Sequence, residues 1–249
     1  MAYLALGNLR ARNANTALGL LWWVVNPLLL GGIYVVVFGV IFDVSDRTED
    51  YVAYILSGLF AFYYTRAAMI GGVNSILSNA KLIVNLRFPR LVLPLSALVE
   101  SAAGFLASLI VFFVIAGPFD GVWPTAATFM LVPVIAIHSV FNIGLAALVA
   151  RIAVPFRDVN NLVPYLVRIW LYLSPVIYPT EFLGNASPVL RTAFELNPLF
   201  SLLSLYRHAL LGYPLDAVDI GIAALWAGVI GVLGVVVFVR NESRMVRYL

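Results

Sequence analysis

The sequence predicts an all-α membrane protein with six transmembrane helices per subunit, an amino-terminal interface helix, a cytoplasmic surface helix, and outer-leaflet re-entrant helices before the last span. Three observations predict it. Of 249 residues, 63% are apolar and 11% charged, with a mean hydropathy of +0.99, which is more apolar surface than a soluble domain of this length can hide from water. Long runs with at most one charge recur along the chain, each able to cross roughly 30 Å of hydrocarbon at about 1.5 Å per residue. Finally, the basic residues segregate: Arg10, Arg12, Lys81, Arg87, Arg90, Arg151, Arg157, Arg240, Arg244 and Arg247 fall on one side, against Arg47, Arg191 and Arg207 on the other. By the positive-inside rule the richer side is cytoplasmic, which puts both termini there.

Each element follows in order. Residues 1–17 mix Leu4, Leu6 and Leu9 with Arg10, Arg12, Asn13 and Asn15; they lack the long apolar core and cleavage site of a signal peptide and read as a helix in the inner interface. Span one, 18–42, carries no charge, and Trp22 and Trp23 stand near its start, where indole rings favour the headgroup region. The acidic loop 43–50 (DVSDRTED) has neither the spacing nor the glycine of an EF-hand and reads as a solvated loop. Span two, 51–73, holds Arg66. Span three begins near 91, holds Glu100 and ends at Gly117-Pro118. Span four, 123–150, contains Pro133 and His138, and 151–158 (RIAVPFRD) is the next cytoplasmic connection. Span five, 159–178, includes Arg168 between Pro164 and Pro175. Residues 180–216 break into apolar pieces too short to cross and read as helices dipping into or lying on the outer leaflet. Span six is 220–239.

Between spans two and three lies the segment 74–90, NSILSNAKLIVNLRFPR. Ile76, Leu77, Ala80, Ile83 and Val84 recur at helical spacing, while Asn74, Ser75, Ser78, Asn79, Lys81, Asn85 and Arg87 fill the opposite side. The spacing predicts one two-faced helix along the membrane surface over 74–88. Tethered to a span at each end, it can pass movement from a soluble partner into the membrane.

Several chemistries are excluded. There is no cysteine, hence no disulfide or thiolate site. The single lysine, Lys81, follows Ala80 within the surface helix, so no GxxxxGK[ST] loop cradles a nucleotide, and no HExxH or GxSxG motif appears. His138 and His208 have no evident partner and read as packing or interfacial residues. Aromatic stripes do stand out: Tyr34, Phe38 and Phe42 at spacing four on span one, Tyr51 and Tyr54 opening span two, and Tyr165 and Tyr172 flanking Arg168 on span five. Ring faces suit the apolar faces of sugars and hydroxyls suit their polar edges, so these eight residues are candidates for lining a glycan path; lipid contact and helix packing are the alternative. Arg66, Glu100 and Arg168 share a depth within the spans, so Glu100 is expected to pair with Arg66 or Arg168, unless Arg168 instead meets the phosphate of a lipid carrier.

LGLLWWVVNPLLL in span one, KLIVNLRFPRLVLPLSALVES after the surface helix, and RDVNNLVPYLVRIWLYLSPVIYP followed by NPLFSLLSLYRHALLG together resemble the type-2 ABC transporter permeases that export lipid-linked polysaccharides such as O-antigen, teichoic acid and cell-wall galactan. The resemblance runs over most of the chain. It implies a bacterial inner-membrane homodimer bound to two separate ATPase subunits, with ATP and magnesium held by those partners, no cofactor on this chain and no nucleic acid. The segment 74–90 then becomes a coupling helix, with Asn79, Lys81, Leu82, Asn85 and Arg87, joined by Arg157 and Asp158 of the next connection, as the docking residues. It also implies that the glycan enters between spans one and five, and the Arg-rich composition suits a galactan exporter of a GC-rich bacterium. A drug-efflux permease and a membrane-embedded glycosyl- or acyltransferase are the rival classes.

Overall fold

A chain in hydrocarbon must satisfy its backbone internally, and helices do so within one segment. The computed structural model describes residues 18, 21–41, 50–86, 88–178 and 187–242, and among these every regular element is helical. The interface helix expected over 1–17, most of the acidic loop, Phe42, Arg87, residues 179–186 and the tail from 243 lie outside the described residues.

Helix α1 spans Trp22–Tyr34 and continues as a π-helix over Val35–Ile41, where a run of β-branched residues disfavours tight α winding. Helix α2, Tyr51–Leu77, is followed by the short α3, Ala80–Asn85, and by α4, Val92–Asp120. A 3₁₀ turn, Ala126–Met130, leads into α5, Leu131–Ala153, and α6 covers Val159–Tyr172. Helices α7, Pro188–Glu195, α8, Pro198–Leu211, and α9, Ala217–Arg240, complete the described chain. Among the described residues, three segments are long and apolar enough to cross a membrane: Val92–Asp120, Ala126–Ala153 and Ala217–Arg240.

At 27 residues α2 is about 40 Å long, yet it carries Tyr51, Tyr54, Tyr63, Tyr64, Thr65 and Arg66. Its polarity is explained by position. Twenty of its 27 residues are buried, and α1, α4, α5, α6 and α8 all pack on it. His138 of α5, fully buried, bonds Thr65 Oγ1 through Nε2 at 2.7 Å and Tyr206 of α8 through Nδ1 at 3.1 Å. Tyr64 bonds Ser139 at 2.8 Å and stacks on Phe105 of α4 at 5.0 Å. The histidine that looked partnerless in the sequence therefore ties three helices together. His208 also has a partner, the Tyr213 carbonyl at 2.6 Å. At the far end, the Asp120 carboxylate accepts from the Ala53 amide at 2.6 Å, so α4 caps the first turn of α2.

Two expectations are corrected, and a third is narrowed. The surface helix is not continuous over 74–88: α2 runs to Leu77, and the chain breaks where Ser78 Oγ donates to the Asn74 carbonyl and Asn79 Nδ2 to the Ser75 carbonyl, side chains competing for helical acceptors. The expected fifth span over 159–178 is helical only to Tyr172, about 21 Å, because a turn at 173–176 precedes and includes Pro175. Of the two placements expected for the short pieces of 180–216, α8 does not lie on a surface: it packs into the bundle against α2, α5 and α9, with Leu199, Leu202, Leu203 and Tyr206 buried.

Helices α5 and α9 meet backbone to backbone. A Cβ added at Gly144 would lie 2.1 Å from the Ile230 carbonyl, and one at Gly234 would lie 2.1 Å from the Gly144 carbonyl. Gly144→Ala is therefore expected to lower stability by about 1 to 3 kcal/mol through overpacking, seen as a reduced melting midpoint in detergent. Gly221→Ala, where nothing lies within 4 Å, should melt like the parent.

Candidate functional site

At one end of the bundle, α3 and the basic residues Lys81, Arg90, Arg151, Arg157 and Arg240 gather. Helix α3 is pinned by Ile83, 2% exposed, which enters a cluster of Ile76, Leu93, Ala147, Ala150, Val154 and Phe238. Four helices meet there. The connection that follows is clamped to the end of α9, because the Arg90 amide donates to the Glu242 carboxylate at 2.6 Å and its guanidinium to the Glu242 carbonyl.

Of the sequence-predicted docking residues, Lys81 and Asn85 are exposed on α3, Arg157 and Asp158 are exposed in the next connection, and Leu82 and Asn79 are half-buried, with Asn79 occupied by the Ser75 carbonyl and Ser78. The sequence reading missed the apolar part of this surface. Val84 is 58% and Leu86 56% exposed, and Phe156, at 66%, is exposed in the neighbouring connection. Val84 had been placed on the inner face, but with the helix restarted at Ala80 Ile83 is buried, Leu82 packs beside it and Val84 turns outward.

The predicted path residues separate into groups. Tyr165 and Tyr172 are 63% and 64% exposed on the outer face of α6, and the Arg168 guanidinium lies 6.0 Å from the Tyr165 ring. Tyr34 is half-buried against the outer end of α2. Tyr51 and Tyr54 are instead buried packing groups, whose hydroxyls donate to the Ile177 and Tyr178 carbonyls at 3.2 Å each. Phe38 belongs to the π-helix, but its side chain, like all of Phe42, is outside the described set.

Of the three intramembrane charges, Arg66 and Glu100 line one cavity of about 1080 Å³ between α1, α2 and α4. Arg168 does not line it, so of Glu100's two expected partners only Arg66 shares its surroundings. The Arg66 guanidinium also lies 5.0 Å from the Tyr63 ring. Among the described residues no group of His, Asp and Glu side chains is placed to hold a metal ion.

The two motifs most telling in the sequence, SPVIYP and NPL, prove to be one hydrogen-bonded bracket. Asn197 Oδ1 accepts from the Leu199 amide at 3.1 Å and from Trp170 Nε1 at 3.0 Å, while its Nδ2 donates to the Leu173 carbonyl at 3.0 Å and Ser174 Oγ at 2.9 Å. Asn197 thus caps α8 while closing the end of α6, with Pro198 opening the helix. Arg207, expected outside, is 4% exposed; it donates to the Pro175 carbonyl and lies 3.6 Å from the Tyr54 ring centroid.

In a sequence comparison the ABC-2 type transporter family matches residues 2–211. The chain belongs to that family. Over 199 residues it is 31% identical to the O-antigen export system permease protein RfbA of Myxococcus xanthus, covering 80% of this chain and 75% of that one. It is 26% identical over 243 residues to the RfbA permease of Klebsiella pneumoniae, covering 97% of this chain and 92% of that one. An ABC-2 permease of this kind is a multi-pass membrane transport subunit.

The bracket makes a stability prediction. Asn197→Ala removes the cap of α8 and leaves Trp170 and the Leu173 carbonyl without their partner, so a loss of about 2 to 3 kcal/mol is expected. Thermal unfolding of the detergent-solubilised protein measures it; Asn197→Asp, which keeps the acceptor, should recover part of the loss.

Proposed function

We propose that this chain is the transmembrane permease subunit of an ATP-driven ABC exporter that moves a lipid-linked polysaccharide, of O-antigen, teichoic-acid or galactan type, from the cytoplasmic to the outer side of a bacterial inner membrane. The observation that carries the reading is its near end-to-end match to permeases of O-antigen export, which also favours glycan export over drug efflux. In this reading six spans leave both termini cytoplasmic, α6 with the turn after it serving as the fifth, and two copies form the transport unit with two ATPase subunits. The basic end carrying α3 faces the cytoplasm. No residue of this chain catalyses a reaction; ATP and magnesium belong to the partner. The direct test is deletion of the gene in its host. Lipid-linked glycan should accumulate inside and disappear from the surface, and a host that displays its glycan normally without the chain would overturn the reading.

The ATPase docks on a mixed surface, apolar at Val84, Leu86 and Phe156 and cationic at Lys81 and Arg157. Apolar groups at the centre of an interface commonly contribute more than rim charges. Phe156→Asp is therefore expected to weaken co-purification of the ATPase about tenfold or more. Charge reversal at Lys81 together with Arg87 should lower association more strongly at low salt than at high. Undiminished co-purification in both variants would remove this surface from the interface.

The exposed stripe Tyr165, Arg168 and Tyr172 on α6, together with Tyr34 of α1, lines the glycan path. Replacing Tyr165 and Tyr172 by Leu keeps apolar bulk but removes stacking faces and hydroxyls. Export should fall about tenfold at unchanged yield and melting midpoint, measured as glycan reaching the surface per unit of folded permease. Unchanged export would assign both rings to lipid contact.

A further inference from the structure

The cavity between α1, α2 and α4 is separate from the α6 stripe, and its lining is chemically selective. Trp23 and Tyr63 contribute aromatic rings, Arg66 a guanidinium and Glu100 a carboxylate. Ser101 and Ser108, also on the wall, donate their hydroxyl protons to the Ala97 and Gly104 carbonyls at 2.8 and 2.9 Å. A hydroxyl committed in this way turns only lone pairs toward the cavity. Serine oxygens and a carboxylate form a wall of acceptors, which receives the hydroxyl donors of a sugar and repels a bare phosphate, whereas the Arg66 fork suits a phosphate oxygen. Ring faces beside those acceptors complete the set of contacts a pyranose uses.

The surroundings indicate how the rest of the ligand is held. Next to the Trp22 and Trp23 rim, α1 turns Leu21, Val24 and Leu28 outward, so a lipid tail can stay in hydrocarbon while its headgroup enters. At its other edge the cavity reaches Asn74, Ser75, Ser78 and Asn79, the residues of the break between α2 and α3. We propose that this cavity is a headgroup site within a single protomer that takes the phosphate and first sugar of a membrane-anchored glycosyl phosphate, phosphate on Arg66 and sugar hydroxyls on Glu100 and Ser101. The proposal rests on the exporter reading for its choice of lipid. Its consequence is that a loaded headgroup bears on the hinge of α3, so the ATPase surface registers cargo before transport.

The test uses the permease co-purified with its ATPase in nanodiscs, titrated with a short-chain polyprenyl-phosphate monosaccharide, with phosphatidylglycerol, and with a soluble sugar 1-phosphate. Intrinsic tryptophan fluorescence, dominated near the cavity by Trp22 and Trp23, reads binding. The glycosyl-phosphate lipid should give a saturable change, the soluble sugar phosphate a weaker one and phosphatidylglycerol none. Glu100→Gln should weaken binding about tenfold or more and Ser101→Ala about fivefold, while Gly221→Ala, away from the cavity wall, binds like the parent. Ser101→Ala leaves both charges in place and keeps the test open should Glu100→Gln fail to fold. Equal affinity in the parent and Ser101→Ala, or an equal response to phosphatidylglycerol, would overturn the proposal. The gene-deletion phenotype tests the exporter reading independently: normal surface glycan in the deletion strain sinks that reading, whereas lost surface glycan with no cavity binding sinks only this one.

Discussion

Inside a membrane every polar group must be answered by another group of the protein, and α2 concentrates that demand. Tyr64 and Thr65 meet Ser139 and His138 on α5, and His138 passes the connection to Tyr206 on α8. Satisfied in this way, the polar residues fix the rotation of α2 about its axis, because turning it would leave several buried donors and acceptors unpaired at roughly 1 to 3 kcal/mol each. The flanking helices are then free to be almost wholly apolar. They need only close packing, which α5 and α9 achieve by bringing glycine backbones into contact.

The same constraint explains why a segment too short to span sits inside the bundle. Helix α8 would expose its ends to an apolar environment unless both were capped by protein. Asn197 supplies its amino-terminal acceptor while consuming a carbonyl left over at the end of α6, so two chain ends satisfy each other. Arg207 does likewise one element away, taking the Pro175 carbonyl that the turn after α6 leaves out of any helix, with the Tyr54 face beneath its charge. That is a physical reason for SPVIYP, NPL and the following arginine to occur together in one chain.

Much of this was legible in the residues, and the failures are informative. The apolar runs behind α4, α5 and α9 announce themselves, since a helix facing lipid has little choice of composition. The inward turn of α2 was not legible, because Tyr51 and Tyr54 bond carbonyls 126 and 124 residues away, and from sequence alone a ring on a helix face belongs equally to a pore, a core or a lipid belt. The surface helix over 74–88 was drawn as one piece, where the structure has the end of α2 and a separate α3. The break at Ser78 and Asn79 depends on side chains competing for carbonyls, a local choice that apolar periodicity does not register, and it leaves Ile83 inside as expected while Val84 turns out. Arg66 and Glu100 could be ranked by depth, but only packing shows that they share a cavity and that Arg168 faces elsewhere.

In the exporter reading, the break also decides how force moves. A single rigid helix over 74–88 would transmit any push on Lys81 directly along α2, whose rotation is locked by the buried polar contacts, and little would follow. With α3 separate, Ile83 is instead a short lever seated among Ile76 of α2 and Leu93, Ala147, Ala150, Val154 and Phe238, and Arg90 fastens the same connection to the end of α9. Movement of α3 therefore loads α4, α5 and α9 while α2 stays fixed as the reference. The cavity lies between the fixed helix α2 and the loaded helix α4, with α1 closing its side, so relative movement of those two is what changes its width. A site placed there is coupled to the ATPase surface by geometry alone, without any change in the polar core.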